Sequence, residues 1–165
     1  MGGTCAIDLT VMHPDLFSTF EDIAGDHGPT AGTKDQTISR LYGGDAPKWD
    51  EFDPRTVMQR HGPYQGVAGW MEDTVKPANA DDVMKNAGRS RPHADTPIGM
   101  GGHDEFRDSD EAGAADDLCA AATAVDISCS VHRIVSFHTW QFAERGFSDA
   151  LPWLAARIHT PASAR

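Results

Sequence analysis

Positive charge is scarce in this chain of 165 residues, which has 14 Lys and Arg residues against 25 Asp and Glu residues and a formal net charge of −11. Lysine occurs only at positions 34, 48, 76 and 85. So acidic a chain lacks the positive surface that binds nucleic-acid phosphates or an anionic membrane. We therefore expect no nucleic-acid partner.

Long apolar runs and cysteines are also lacking. No stretch of about 18 apolar residues is present, which predicts no membrane segment in this chain. Met1 is followed by Gly2-Gly3-Thr4 rather than by the basic segment of a signal peptide. The 3 cysteines are too few for a disulfide scaffold and are not spaced as zinc ligands. We expect neither a metal nor a cofactor.

Helical and strand-like stretches alternate along the sequence. This alternation predicts one α/β domain, with a mostly parallel sheet flanked by helices. The residues at 26–63 are polar and rich in glycine and proline, which indicates a cap-like excursion over the core, and 74–95 reads as a flexible loop. The predicted helices are 3–12, 36–41, 54–60, 109–125 and 142–158, and the predicted strands lie within 16–25, 65–71, 96–102 and 128–135.

Two of the predicted helices have apolar residues that we expect to be buried. The helix at 3–12 is apolar around most of its circumference, which predicts burial on nearly all sides, with Cys5 inside and inert. The last helix is interrupted by Pro152, where a kink or a restart is expected. Its predicted buried residues are Phe147, Leu151, Leu154 and Ile158.

Three separate stretches suggest the parts of a catalytic triad. Met1-Gly2-Gly3 before a helix is similar to the residues that follow the serine of a nucleophile elbow, G-x-S-x-G. His138 lies in the loop after a strand, where it can reach the carboxyl ends of a parallel sheet. Asp104 follows another predicted strand and could orient that imidazole, with Glu72 and Asp73, after the strand that ends at Met71, as the alternative acids.

These stretches resemble the putative-esterase branch of the α/β-hydrolases, which includes S-formylglutathione hydrolases and mycolyltransferases. The resemblance covers nearly the whole chain but only the C-terminal part of a family member. Six segments carry it: Met1–Phe17, Ile23–Gly25, Leu41–Asp45, Gly102–Phe106, His138–Trp140 and Phe147–Leu154. It implies an α/β-hydrolase fold and a small-molecule or lipid ester substrate.

The same resemblance implies roles for the site residues. His138 would be the general base, Asp104 would orient it, and the backbone N–H of Met1 would donate to the oxyanion. The sequence starts one residue after the place of the serine, so we expect a fragment of a serine esterase or acyltransferase without turnover of its own. The alternative is a non-catalytic remnant, or a partner-binding α/β protein.

Cys119 and Cys129 flank the turn between a predicted helix and the strand at 128–135. They could approach disulfide distance, which would indicate an oxidising compartment such as the cell envelope. Alternatively, they are two small buried hydrophobic residues, because free cysteine is commonly buried. The sequence leaves both possibilities open.

Overall fold

The computed structural model describes residues 2–75, 113–136 and 139–158, and the fold is given for these residues. The predicted strand at 96–102, most of the loop at 74–95 and the residues Met1, Asp104 and His138 lie outside them. The helices are α1 (Gly2–Met12), α2 (Lys34–Tyr42), α3 (Ala46–Asp50), α4 (Pro54–His61), α5 (Ala114–Thr123) and α6 (Trp140–Ile158). The strands are β1 (Thr19–Ile23), β2 (Ala68–Val75) and β3 (Ser128–Val135).

The three strands form one parallel sheet in the order β1-β2-β3, which confirms the α/β class. In the β1–β2 pair, Thr19 is opposite Ala68 and Ile23 is opposite Glu72. Since side chains alternate between the two faces of a strand, this register places Phe20 and Met71 on one face and Trp70 and Glu72 on the other. Parallel pairing also puts the carboxyl ends of β1 and β2 at the same edge of the sheet.

The described residues belong to two compact units. The first draws on Met1–Asp73 and Asp108–His132, and the second on Thr74–Arg107 and Arg133–Arg165. In the first unit, α1 packs on β1, and α4 contacts both α1 and α5. The largest side chains of its core are Ile7, Val11, Phe20, Val57, Met58, Tyr64, Val67, Met71, Leu118 and Ile127.

Side-chain caps explain where the helices of 26–63 begin. Thr33 and Gln36 form a reciprocal capping box at the start of α2, and Asp45 and Asp53 cap α3 and α4. Each cap satisfies a backbone N–H that the first helical turn leaves unpaired, which stabilises a helix by about 1 kcal/mol. α2 ends at Gly43, whose φ of 64° is a left-handed conformation that glycine adopts at little cost.

The cap-like interpretation of 26–63 misses a contribution to the core. Val57 and Met58 of α4 are 4% and 0% exposed and belong to the main hydrophobic cluster. They are adjacent on the inward side of a helix whose other residues, apart from the buried Pro54, are polar, so overall composition hides them. At least this part of the segment is structural support for α1 and α5.

Burial of α1 on nearly all sides is wrong. Cys5 is exposed and Leu9 is 44% exposed. The sheet and α4 cover one side of the helix, so its buried residues follow one stripe: Thr4, Ile7, Thr10 and Val11. An apolar sequence can therefore form a half-exposed helix when neighbours cover a single face.

The buried face of α6 also differs from the prediction. Phe142, Gly146 and Ala150 are its buried residues, at a spacing of four. Phe147, Leu151 and Ile158 are 50%, 45% and 73% exposed, and Leu154 is half-buried. The helix is continuous through Pro152. Its small residues, rather than its largest aliphatic residues, allow close packing along this stripe.

None of the helices in the described ranges is long and apolar enough to cross a bilayer.

Candidate functional site at the carboxyl ends of the strands

Carboxylates occupy the ends of both β1 and β2. Asp22 is the fourth residue of β1, and Glu72 and Asp73 lie within β2. Their exposed fractions are 2%, 1% and 9%. Buried carboxylates are rare unless they are paired or functional, and the carboxyl ends of parallel strands are where α/β proteins bind ligands. This edge is therefore the candidate site.

Asp22 lies against the first turn of α1. A side chain at Gly3 would collide with Asp22 Oδ1, and one at Gly25 would collide with both carboxylate oxygens. The backbone N–H of Gly25 donates to this carboxylate, while Oδ1 has no hydrogen-bond partner in the described part of the chain. Burial raises the pKa of Asp22 to about 6, against the opposing effect of that hydrogen bond.

Asp8 of α1 belongs to the same group of acids. Burial raises its pKa to about 7, and the charges of Asp53 and Asp22 act in the same direction. Asp73 in turn raises the pKa of Asp22. Helix α1 and the two strands therefore hold several carboxyl groups close enough to oppose one another's ionisation, as occurs at many catalytic sites.

Backbone contacts fix the segment that follows β1 beside α1 and β2. Ala24 N–H donates to the carbonyl of Glu72 at 2.8 Å, and Asp26 N–H donates to Thr4 Oγ1 at 3.0 Å. The segment therefore connects the end of β2 to the first turn of α1. A ligand at this edge would therefore meet a backbone segment that is hydrogen-bonded to both neighbouring elements.

The opposite face of the sheet carries a second polar group. Trp70 Nε1–H donates to Glu72 Oε1 at 2.7 Å, and the indole is stacked on His132 with 3.5 Å between the ring centroids. His132 Nε2 and Ser130 Oγ share a hydrogen bond of 3.1 Å. Glu21, directly opposite Trp70, has a pKa raised to about 7 by burial and then by the charge of Glu72. These contacts link all three strands.

The sequence-predicted site residues divide into two sets. Glu72 and Asp73, the alternative acids, are inside β2 rather than after its end, because the strand continues four residues beyond Met71 to Val75. They point to opposite faces. Asp104, His138 and the Met1 backbone lie outside the described residues, so their predicted roles stay predictions.

Three acidic residues of this edge were not predicted: Asp8, Glu21 and Asp22. Two signals in the sequence could have identified them. Asp8 is the only charged residue of α1. Glu21 and Asp22 are two adjacent acids within a short strand, between the apolar Phe20 and Ile23. Charged residues in elements that must pack against a core are candidates for buried, functional groups.

Cys119 and Cys129 are joined by a disulfide, with 5.5 Å between their Cα atoms. The bond connects α5 to β3 within the first unit. Cys5 is the free cysteine and is exposed. Its predicted burial is therefore wrong, for the same reason as for α1: it lies on the uncovered side of the helix.

Thiol counting tests this arrangement. We expect Ellman's reagent to detect one thiol per chain, that of Cys5, in both the native and the denatured unreduced protein. Reduction in denaturant should raise the count to 3, the number of cysteines in the sequence. Cys5→Ser is the control and should show no thiol before reduction. A count of three in the denatured, unreduced protein would contradict the disulfide.

A cleft of about 580 Å³ opens beside the segment that follows β1. Its walls come from that segment, from the first turns of α2 and α4, and from Trp49 of α3. The residues that contribute polar side chains are Asp26, His27, Thr30, Thr33, Lys34, Thr37, Asp53, Arg55, Thr56 and Gln59. Such a volume is in the range of small-molecule sites.

The chain is 24% identical over 156 residues to an uncharacterized protein of Corynebacterium glutamicum, an alignment that covers 94% of this chain and 30% of the relative. The chain therefore spans about a third of the length of the curated relative it matches. No family model matches the chain, and no solved structure matches it.

Proposed function

We propose that this chain forms part of the catalytic domain of a serine esterase or acyltransferase that acts on carboxylic ester or thioester bonds. The observation that carries the proposal is the position of Asp22, Glu72 and Asp73. They are buried at the carboxyl ends of two adjacent parallel strands, and Asp22 touches the first turn of α1. In α/β-hydrolases the helix after the nucleophilic serine starts at this edge of the sheet.

The proposed chemistry is acyl transfer through a covalent intermediate. A serine hydroxyl attacks the carbonyl carbon while His138 accepts its proton. The alcohol or thiol then leaves with that proton, and water or an acceptor alcohol releases the acyl group by the reverse sequence. A carboxylate fixes the His138 tautomer, and the Met1 N–H stabilises the oxyanion. No serine of this chain has that place, so the proposal requires a nucleophile from outside these 165 residues.

The test compares two polypeptides made from the same reading frame. The first is this 165-residue chain, and the second includes whatever coding sequence continues upstream of Met1. We expect hydrolysis of p-nitrophenyl butyrate and labelling by a fluorophosphonate only in the longer form. His138→Ala in that form should reduce kcat/KM by about 10³-fold or more, since triad members act as a unit.

The control for this experiment is His61→Ala, which changes an exposed histidine at the end of α4 and should leave kcat/KM unchanged. Two results would contradict the proposal: an in-frame stop codon directly upstream of Met1, or a longer form whose hydrolysis survives His138→Ala. Either would favour the alternative of a non-catalytic or partner-binding α/β protein.

The identity of the orienting acid can be tested in the same longer form. Following the sequence prediction, we expect Asp104→Asn to reduce kcat by roughly 10³- to 10⁴-fold, because it leaves the histidine in the wrong tautomer. Glu72→Gln and Asp73→Asn should then cost less than about tenfold. If kcat fell more in Glu72→Gln or Asp73→Asn than in Asp104→Asn, the orienting acid would be a residue of β2 instead of Asp104.

A further inference from the structure

The proposed esterase chemistry does not use the cleft beside α2 and α4. Asp26 lines it and lies three residues beyond the end of β1 at Ile23, so the cleft opens at the carboxyl edge of the sheet. Ligands of α/β proteins bind at this edge. The class of ligand that fits this cleft depends on its wall groups. Only polar groups that are not already hydrogen-bonded within the protein can bind a ligand.

Most hydroxyl and carboxylate groups in the walls are already engaged. Thr33 Oγ1 accepts from Gln36 N–H, and Thr37 Oγ1 accepts from Ala31 N–H at 2.8 Å. Asp53 Oδ2 accepts from both the N–H and the hydroxyl of Thr56. These acceptors and hydroxyls maintain the helix starts and the loop, and are poorly placed to recognise a ligand as well.

The available groups include two positively charged donors. Lys34 Nζ lies 3.9 Å from the centroid of the Trp49 ring, and Arg55 is exposed in the first turn of α4. Neither side chain has an ion pair with any residue in the described ranges. Both charges are therefore available to an anionic ligand.

The indole of Trp49 restricts where the charge of Lys34 can be. A cation over an aromatic face is held by about 0.5–1 kcal/mol at an exposed site. Lysine otherwise loses rotamer entropy when it binds a ligand, so this contact reduces that cost. Trp49 also adds an apolar surface to the same cleft, which suits the carbon skeleton of an organic ligand.

We propose that this cleft binds small anions, through a carboxylate or phosphate group that Lys34 and Arg55 contact, with Trp49 against the remainder of the ligand. The inference does not depend on esterase activity. Guanidinium and ammonium groups both form charge-assisted hydrogen bonds with these anions. Asp26 lies on the same cleft and disfavours ligands with several adjacent negative charges.

Amide NMR of the 165-residue chain tests the proposal. Sodium phosphate and sodium acetate are titrated separately at constant ionic strength, which is maintained with sodium chloride. We expect saturable shifts of the amides at 33–37 and 55–59 with at least one of the two anions. Phosphate alone or acetate alone would identify which group the cleft prefers.

Variants assign the binding to the two cations. Lys34→Gln and Arg55→Gln should each weaken binding by roughly threefold to tenfold, the range for exposed charge-assisted contacts, and the double variant should abolish saturation. Lys48→Gln is the matched control, an exposed lysine of α3 outside the cleft, and should bind as the parent does. Thermal melts verify that each variant folds.

Two outcomes would overturn the proposal. One is that sodium chloride alone produces the same shifts as phosphate and acetate. The other is that the Lys34→Gln/Arg55→Gln double variant, with an unchanged melting temperature, retains saturable binding. Loss of esterase activity in the longer polypeptide has no bearing on either result, so the two proposals fail independently.

Discussion

Raising the pH from about 5 to about 8 is expected to destabilise the described fold by several kcal/mol, and Asp22→Asn should remove about 1.5 kcal/mol of that change. The cause is burial. Asp8, Glu21 and Asp22 have pKa values raised to about 7, about 7 and about 6, with desolvation as the largest contribution in each case. Asp22 is only 2% exposed, so solvent screens it least.

The sign follows from proton binding in the two states. Between the ordinary carboxyl pKa of about 4 and the raised values, the folded protein holds protons that the unfolded chain has released. Stability therefore falls as pH rises. The contribution of these groups is complete below about pH 4 and is lost as pH passes through about 6 to 7.

Urea denaturation at a series of pH values measures the effect. Asp15→Asn is the control: it changes an exposed residue outside the acidic group and should keep the full pH dependence of the parent. The amide introduced by Asp22→Asn would still offer an oxygen to the Gly25 N–H, so the comparison rests on the slope with pH rather than on the absolute free energy. Equal slopes in the parent and Asp22→Asn would refute the assignment.

The sequence predicted the secondary structure of the first unit well because its elements have strong local signals. The apolar and polar residues of 128–135 alternate, and the observed β3 has the same bounds. Helix α4 begins at Pro54, as the predicted helix at 54–60 does, and the structure shows why: Asp53 caps it and proline fits the first turn. Helix α3 was missed, because five residues between two other helices give no periodicity.

Burial was predicted less well, because it depends on which neighbours cover an element. Cys5 and Leu9 are as apolar as Ile7 and Val11, yet only the latter pair meets the sheet and α4. In α6, Gly146 and Ala150 are buried although Phe147 and Leu151 are larger. Size and hydrophobicity indicate what an element could bury, and the packing partner decides which face it does bury.

The acidic group shows the same limit for a functional site. Sequence reasoning named Glu72 and Asp73 because they follow a strand. It had no means to bring Asp8 beside Asp22, which is 14 positions away on another element and meets it through the packing of α1 on β1. Such long-range proximity comes from the tertiary fold, and neither composition nor local periodicity encodes it.

Gly3→Ala is expected to destabilise the protein by about 2 kcal/mol, within the range for overpacked positions. An added Cβ would overlap Asp22 Oδ1 and approach Ile23 N to 3.1 Å. The carboxylate cannot move aside freely, because Gly25 is against its other side and donates a hydrogen bond to it. Chemical denaturation at about pH 7 measures the loss.

Gly2→Ala is the matched control for this change. A Cβ at Gly2 meets nothing within 4 Å, and alanine is preferred to glycine within a helix, so a gain of up to about 1 kcal/mol is expected. In an Asp22→Ala background the shorter side chain leaves room for the new methyl group, and Gly3→Ala should then cost clearly less. If Gly3→Ala destabilised the Asp22→Ala variant as much as the parent, the close contact between α1 and the Asp22 carboxylate would not be the reason that position 3 requires glycine.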